Sequence, residues 1–263
     1  RTISIGGGGY IGTGLTFRNF TQTGATAQTL APTGTATNFI IYDCSWGGDV
    51  VFSSPRISTR GTTYSGTVSL TKTGASDDRS VGGNTFTGNT TLTLTGSREF
   101  SMGNGSPDTF SGDLTVNNNG TYHMHIGYNS AGNTIAGNLT ANHTGTGTGH
   151  IYFSNNIAST LTITGTTSLT NNASGTTNYI YLGGSGDVTL NSSLSITNSS
   201  TGTTGNIYVA NADGSVTVIV IESVHPLASV TTNVCVPAAT VNVPVPVYEP
   251  PIDVAIVCTP VYA

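Results

Sequence analysis

The chain has 263 residues, of which 36% are hydrophobic and only 7% are charged, against about 25% in an average soluble domain. Its formal net charge of −5 leaves no basic surface that could neutralise phosphates, which argues against nucleic-acid binding. No apolar run reaches the roughly 18–20 residues of a transmembrane helix, so we expect no membrane span.

The N-terminal part, residues 1–61, is predicted to form irregular coils that cap and begin a solenoid. Ile3 and Ile5 alternate with polar residues, so the chain is expected to enter on the third strand of a coil. Apolar residues return at Phe39 and continue to Tyr42, and the segment that follows contains Trp46, the only tryptophan. Terminal coils of a solenoid are commonly irregular and act as caps.

Residues 62–214 are predicted to form regular repeats. A phrase with the pattern small-Gly-x-apolar-x-apolar recurs in steps of 22, 25, 28 and 27 residues, read from the positions of Leu94, Val116, Ala141, Leu169 and Ile196. A short apolar site precedes each phrase and an apolar pair follows it, which gives three short strands with a period of two per step. Such an array predicts an all-β fold, a single-stranded right-handed parallel β-helix, with coils of about 22–28 residues.

Within the coils, we expect Leu94, Val116, Leu169 and Ile196 to lie in one buried column. Two positions after the second-strand residue come asparagines, interrupted once by His143. We expect these asparagines to form an amide ladder whose side chains bond up and down the stack, a structural role. The predicted ladder residues are Asn118, Asn171 and Asn198.

The third strand of each coil carries an outward residue between two buried ones, because successive side chains alternate between faces. In three consecutive coils this residue is Tyr152, Tyr181 and Tyr208. The row could stack on sugar rings or pack against a neighbouring molecule. The alternative is that ordinary β-propensity and cross-strand pairing favour tyrosine there.

Neither a metal site nor a catalytic site is predicted. His123 and His125 share one face, but the repeat places no third ligand beside them, so we expect no metal and no cofactor. Acidic residues are few, and the aligned coils are expected not to stack them, since Asp113 matches Asn138. Acid–base chemistry needs paired groups, so the chain is predicted not to be an enzyme.

The C-terminal part, residues 215–263, lacks glycine and contains seven prolines, and it is predicted to form a separate strand arm or cap. Valines alternate along it at Val241, Val243, Val245 and Val247. Cys235 and Cys258 could form a disulfide in an oxidising compartment, which would make the protein extracellular; the alternative is buried free thiols.

The repeat phrases, such as FSGDLTVNN at residues 110–118 and IAGNLTANH at residues 135–143, resemble those of bacterial β-strand-repeat surface proteins of the haemagglutinin-like adhesin or fibre type. The resemblance extends from about Tyr64 to Ala210. It implies an extracellular or cell-surface location and a non-enzymatic role in adhesion or appendages.

The function predicted from these features is that of a structural subunit of an extracellular bacterial filament, which assembles head to tail with copies of itself through the solenoid ends and the C-terminal arm. One alternative is a monomeric adhesin stalk or a β-helix that binds cell-surface or matrix polysaccharide. The other is a polysaccharide lyase or hydrolase, which would need a cluster of acidic and basic residues that the sequence does not predict.

Overall fold

A computed structural model of the chain describes residues 14–31, 38–210 and 221–223. Within these ranges all regular structure is β-strand, and the strands stack in parallel sheets as a β-solenoid of about eight turns. The predicted all-β parallel solenoid is therefore confirmed. No helix in the described ranges is long and apolar enough to cross a membrane.

Each coil contributes one strand to each of three sides. The first sheet has eight strands: β2 (Thr21–Gln22), β5 (Ser45–Trp46), β8 (Thr63–Tyr64), β11 (Thr85–Phe86), β14 (Thr109–Phe110), β17 (Asn133–Ile135), β20 (Thr160–Ile163) and β23 (Asp187–Leu190). The second sheet has nine: β3 (Gln28–Leu30), β6 (Val50–Ser54), β9 (Val68–Lys72), β12 (Thr90–Leu94), β15 (Leu114–Asn118), β18 (Leu139–His143), β21 (Thr167–Asn171), β24 (Leu194–Asn198) and β26 (Ile221–Ser223).

The third side is divided into two sheets. The N-terminal sheet contains β1 (Gly14–Arg18), β4 (Asn38–Tyr42) and β7 (Arg56–Arg60). The third sheet contains β10 (Asp78–Arg79), β13 (Phe100–Ser101), β16 (Met124–Ile126), β19 (His150–Phe153), β22 (Thr177–Gly183) and β25 (Thr204–Ala210). An isolated parallel bridge joins Arg60, the last residue of β7, to Gly82, which follows β10, so the third side continues along the solenoid.

The core consists of inward columns in which equivalent residues of successive coils lie above one another. In the first sheet, the rings of Tyr64, Phe86 and Phe110 stack with centroids 4.9 and 4.7 Å apart and planes within 3° of parallel. All three side chains are buried. Aromatic residues bury large apolar areas, so this stack makes a major contribution to the packing between coils.

One detail of the predicted core column is wrong. Val116 pairs with Leu92 below it and with Ala141 above it, whereas Leu94 pairs with Asn118. The column does continue through Leu169 and Ile196. Leu92 and Leu94 both point inward, because alternate residues of a strand share a face. The sequence pattern alone therefore does not distinguish pairing of Val116 with Leu92 from pairing with Leu94.

In four consecutive coils a small residue closes the third strand, where the backbone adopts a left-handed conformation. The φ angles are 71° at Gly103, 67° at Gly127, 60° at Ser154 and 93° at Gly183. Glycine adopts such angles without the steric cost that a Cβ atom adds. The corner that leads back to the first sheet therefore favours glycine after the apolar pair, and the equivalent left-handed positions of the N-terminal coils are Asn19 and Asp43, with φ angles of 53° and 57°.

The N-terminal coils are more regular than expected. Residues 21–30 and 45–54 pair in the same parallel order as the later coils. Their interior is aromatic, with the Trp46 ring 5.3 Å from Phe17 and 5.1 Å from Phe52, measured between centroids. The predicted entry strand at Ile3 to Ile5 lies outside the described residues.

Most of the predicted C-terminal arm also lies outside the described residues, including Cys235, Cys258, Val241, Val243, Val245 and Val247. From residues 215–263 only β26 is described, and it pairs in parallel with β24. Cys44 is a buried free thiol.

Candidate functional site

The outer side of the third sheet carries two parallel columns of polar and aromatic side chains. We call this surface the aromatic face. Its first column contains Arg79, Ser101, His125, Tyr152, Tyr181 and Tyr208. Its second column contains Asp77, Glu99, His123, His150, Tyr179 and Asn206. Titratable groups of different types therefore meet on this side of the solenoid.

The structure places the three tyrosines of the predicted row in one outward column. The rings of Tyr152 and Tyr181 stack with centroids 4.8 Å apart, and those of Tyr181 and Tyr208 with centroids 4.9 Å apart. His125 extends the row downward, with its ring 4.7 Å from that of Tyr152.

A second stack of rings, which the sequence analysis missed, runs beside the first. The His150 ring lies 4.7 Å from His123 and 4.8 Å from Tyr179, with planes within 26° of parallel. The signal for it was present, because each of these residues stands two positions before the outward residue of the first row. Residues two apart on a strand share a face.

The two stacks are packed in a herringbone arrangement. Rings of different columns meet nearly at right angles, at 89° between His150 and Tyr152 and at 69° between Tyr179 and Tyr181. Within a column, parallel rings with centroids 4.7–4.9 Å apart must be offset, because carbon atoms in contact are about 3.5–4.0 Å apart. Neighbouring rings therefore cover much of each ring face.

This packing limits what the aromatic face can bind. A sugar ring stacks best on an open aromatic face, but in the middle of the row the faces are taken by neighbours. Tyr208 is the most open ring of the row, with 40% of the residue exposed. A partner would therefore meet ring edges and hydroxyl groups along the row, and an accessible ring at its end.

The imidazoles of His125 and His150 and the phenol of Tyr152 are uncharged at neutral pH. Burial lowers the pKa of His150 to about 4 and that of His125 to about 3, with the neighbouring His123 as a further cause in both cases. Burial likewise raises the pKa of Tyr152 to about 12. Neutral imidazoles and phenols can both donate and accept hydrogen bonds, so the face can bind neutral polar partners.

Charged groups converge at the lower end of the aromatic face. The Glu99 carboxylate accepts hydrogen bonds from Arg79 Nε at 3.3 Å and Nη2 at 3.2 Å, and the Ser101 hydroxyl also donates to it. His125 Nε2 lies 3.9 Å from Glu99 Oε1. The ring of Tyr128 covers this group, with its centroid 4.7 Å from that of His125.

These residues are not arranged as a nucleophilic triad. In such a triad the serine hydroxyl donates to the imidazole, which in turn is oriented by the carboxylate. Here Ser101 donates directly to Glu99, and Arg79 binds the other oxygen of the same carboxylate. The arrangement can anchor the lower end of the aromatic face.

Acidic residues stack at one place, contrary to the expectation that aligned coils do not bring them together. The Glu99 backbone N–H lies within hydrogen-bond distance of Asp77 Oδ1, at 3.3 Å. Both residues stand just before a third strand, outside the repeat phrase used for alignment. Because Glu99 is already bound by Arg79 and Ser101, the pair does not provide two free carboxyl groups.

The predicted Asn column is in register, but its side chains bond differently from an amide ladder. Asn118, His143, Asn171 and Asn198 pair in successive strands. The Asn118 Nδ2 donates to the Tyr122 carbonyl at 2.8 Å, and the other two asparagines donate across the equivalent turns. The amides therefore connect the end of a second strand to the start of the third.

Side-chain bonds that run up the stack occur in this column, where Asn118 Nδ2 also donates to the His150 carbonyl at 3.1 Å, and at other positions. Asp108 Oδ1 accepts from the backbone N–H of Asn84 at 2.9 Å, and Asn133 Oδ1 accepts from the N–H of Asp108 at 2.9 Å. An exposed ladder of the same kind joins Asp113 to Asn138 at 2.8 Å. The match between Asp113 and Asn138 was visible in the sequence, but its role as a ladder was not.

No metal site is found in the described ranges, where no group of three or more histidine, cysteine or acidic residues could hold an ion. The His123 and His125 rings lie 6.0 Å apart, and each stacks on an aromatic ring of the next coil. His125 also lies 3.9 Å from Glu99 Oε1 and 3.4 Å from Asn155 Nδ2.

Comparisons with known proteins add no family. No family model matches the chain, and neither the curated proteins nor the solved structures contain a significant match. The solenoid and repeat character expected from the resemblance to β-strand-repeat proteins is confirmed. The adhesin or fibre role is a proposal.

Proposed function

We propose that this chain is a non-enzymatic structural subunit of an extracellular bacterial filament, which assembles head to tail with copies of itself. The observation that carries the proposal is the register of β26. Ile221 pairs with Leu194 and Ser223 with Ile196, in the same parallel order as the strands below. The stacking contact is thus repeated in the segment that leads into the C-terminal arm.

Stacking of parallel strands offers a simple route to assembly. An uncovered end of a solenoid has unpaired N–H and C=O groups, to which a strand of another molecule can add. A contact between the top of one subunit and the bottom of the next uses two different surfaces, so it does not close on itself and produces a filament. In this proposal the Val/Pro-rich arm adds to the neighbouring subunit.

Negative-stain microscopy of the full-length chain tests the proposal. We expect filaments for the parent and predominantly monomers for Val243→Asp/Val245→Asp, because charge placed in the apolar row of the arm opposes its burial. Asn242→Asp adds charge next to Val243 but outside the apolar row and is the matched control, expected to retain filaments. A parent that stays monomeric at high concentration would contradict the proposal.

A second candidate function is adhesion to polysaccharide through the aromatic face, which the accessible ring of Tyr208 and the hydroxyl groups along the row favour. We expect Tyr152→Thr/Tyr181→Thr/Tyr208→Thr to fold, because threonine retains β-propensity, and to lose binding to the polysaccharide. Binding is measured by pull-down with insoluble polysaccharide particles and folding by circular dichroism. Unchanged binding, together with unchanged lateral association of the rods, would leave the row with a packing role only.

A further inference from the structure

Charge is distributed unevenly along the chain. All seven lysine and arginine residues lie within residues 1–98, together with four of the twelve acidic residues, so this part has a formal charge of +3. The remaining eight acidic residues lie in residues 99–263, which contain no lysine or arginine and therefore have a formal charge of −8. In a solenoid the chain advances along the axis, so the described coils up to residue 98 and those beyond it have opposite formal charge.

At the N-terminal end, the outer side of the N-terminal sheet presents a cluster of arginines around one tyrosine. Arg18, Tyr42 and Arg60 pair in register on β1, β4 and β7. The Arg18 Cζ lies 5.6 Å from the centroid of the Tyr42 ring, and the Arg60 Cζ lies 4.6 Å from it. The two guanidinium groups thus pack against one ring, and we call this surface the arginine patch.

The arginine patch has unused capacity for carboxylates. Arg60 Nη2 forms an ion pair with Asp43 at 2.9 Å, and the two side chains are 41% and 44% exposed. Arg18 is exposed and forms no ion pair within the described ranges. Arg56, at the start of β7, is exposed as well. Guanidinium groups bind carboxylates through two parallel hydrogen bonds, and packing on Tyr42 restricts their motion in advance.

The last described strand ends beside the third side of the solenoid, the side on which the arginine patch lies. In every described coil a strand of the second sheet is followed by one on the third side. The last described strand, β26, belongs to the second sheet. Strand β26 therefore ends at the edge of the third side, and residues 224–263, which follow it in the sequence, contain Glu249 and Asp253 but no lysine or arginine.

We propose that the arginine patch of one subunit binds the acidic C-terminal segment, residues 222–263, of a second copy of this chain. The inference rests on the proposed head-to-tail assembly and specifies the chemistry of its joint. Glu222, Glu249 and Asp253 supply the carboxylates, and Arg18 and Arg60 bind them. Because only the two ends are complementary in charge, the same contact opposes head-to-head and tail-to-tail pairing.

Charge reversal in the full-length chain tests the joint. Filament formation is measured by sedimentation and electron microscopy for Arg18→Glu/Arg60→Glu, for Glu249→Arg/Asp253→Arg and for the chain that carries all four substitutions. Each double variant is expected to raise the concentration for half-maximal assembly at least about tenfold, and the fourfold variant to restore assembly, since each of its joints again joins opposite charges. Salt is expected to weaken assembly of the parent, because charges in solvent are screened within about 10 Å at 0.1 M.

Single substitutions keep the joint testable if a double variant fails to fold. Arg60→Glu places a carboxylate beside Asp43 and can disturb folding. Arg18→Glu alone, and its combination with Glu249→Arg, therefore provide a second pair of variants for loss and rescue of assembly. Circular dichroism checks their folding. Arg98→Glu makes the same charge change at an exposed site outside the arginine patch and is expected to assemble like the parent. Filaments of the parent that respond neither to charge reversal nor to salt would overturn the arginine-patch joint and leave head-to-tail assembly standing. A parent that forms no filaments would overturn both.

Discussion

Val116→Asp is expected to lower the free energy of unfolding by several kcal/mol, about 3–5 kcal/mol, because it places an unpaired charge in the solenoid core. Val116 is fully buried, between Leu92 of the coil below and Ala141 of the coil above. Coils are stabilised by their neighbours, so the defect should also weaken the contacts on both sides. Chemical denaturation followed by circular dichroism measures the effect.

Thr115→Asp provides the matched control for this prediction. Thr115 is the preceding residue of β15 and is partly exposed, with the opposite orientation to the inward Val116. A carboxylate there stays in water, so the change in unfolding free energy should be below about 1 kcal/mol. Equal stability of the two variants would contradict the orientation of β15 in which Val116 faces the core and Thr115 faces outward.

Asp78→Asn is expected to remove a loss of stability that the parent shows between pH 4 and pH 8. Asp78 occupies the inward column that continues through Phe100 and Met124, and it is fully buried. No hydrogen bond of good geometry reaches either carboxylate oxygen. Burial raises the pKa of this carboxyl from 3.8 to about 8, despite the opposing charges of Arg56 and Lys72.

The direction of this change in stability with pH follows from the direction of the pKa shift. The folded state holds the Asp78 proton more tightly than the unfolded state, so the proton's contribution is fully present below pH 3.8 and is lost as the pH rises through about 8. The slope in this window is at most about 1.4 kcal/mol per pH unit for one group. Denaturation at several pH values measures it.

Comparing the variant with the parent separates the contribution of Asp78 to the pH dependence of stability from the contributions of other titratable groups. Asp108, also buried, has a pKa raised to about 7 and acts in the same direction, whereas burial lowers the pKa of His125 and His150 and makes acid destabilising. These contributions are common to parent and variant. Asp113→Asn, at an exposed position, is the control that should keep the parent's profile. Parallel profiles of parent and Asp78→Asn would show that Asp78 does not ionise in this range.

The sequence by itself determined the fold class, the three strands in each coil and the outward row of Tyr152, Tyr181 and Tyr208. These features depend on local alternation and on a repeat of roughly constant length, both of which are present in the order of residues. Equivalent positions are forced into columns when coils stack, so the row follows from the repeat alone.

Tertiary structure decided three features. These are the pairing register of β12 and β15, which differs from the predicted one by two residues, the direction of the polar side chains, and the groups that meet between coils. Leu92 rather than Leu94 pairs with Val116, because coil lengths vary and both leucines face inward. Asn118 donates to the Tyr122 carbonyl at 2.8 Å and to the His150 carbonyl of the next coil at 3.1 Å, because its neighbours in the column, Leu94 and His143, offer no amide. Glu99 meets Arg79 and His125 only because residues 20 and 26 positions apart become neighbours when the coils stack, a proximity that local sequence spacing does not contain.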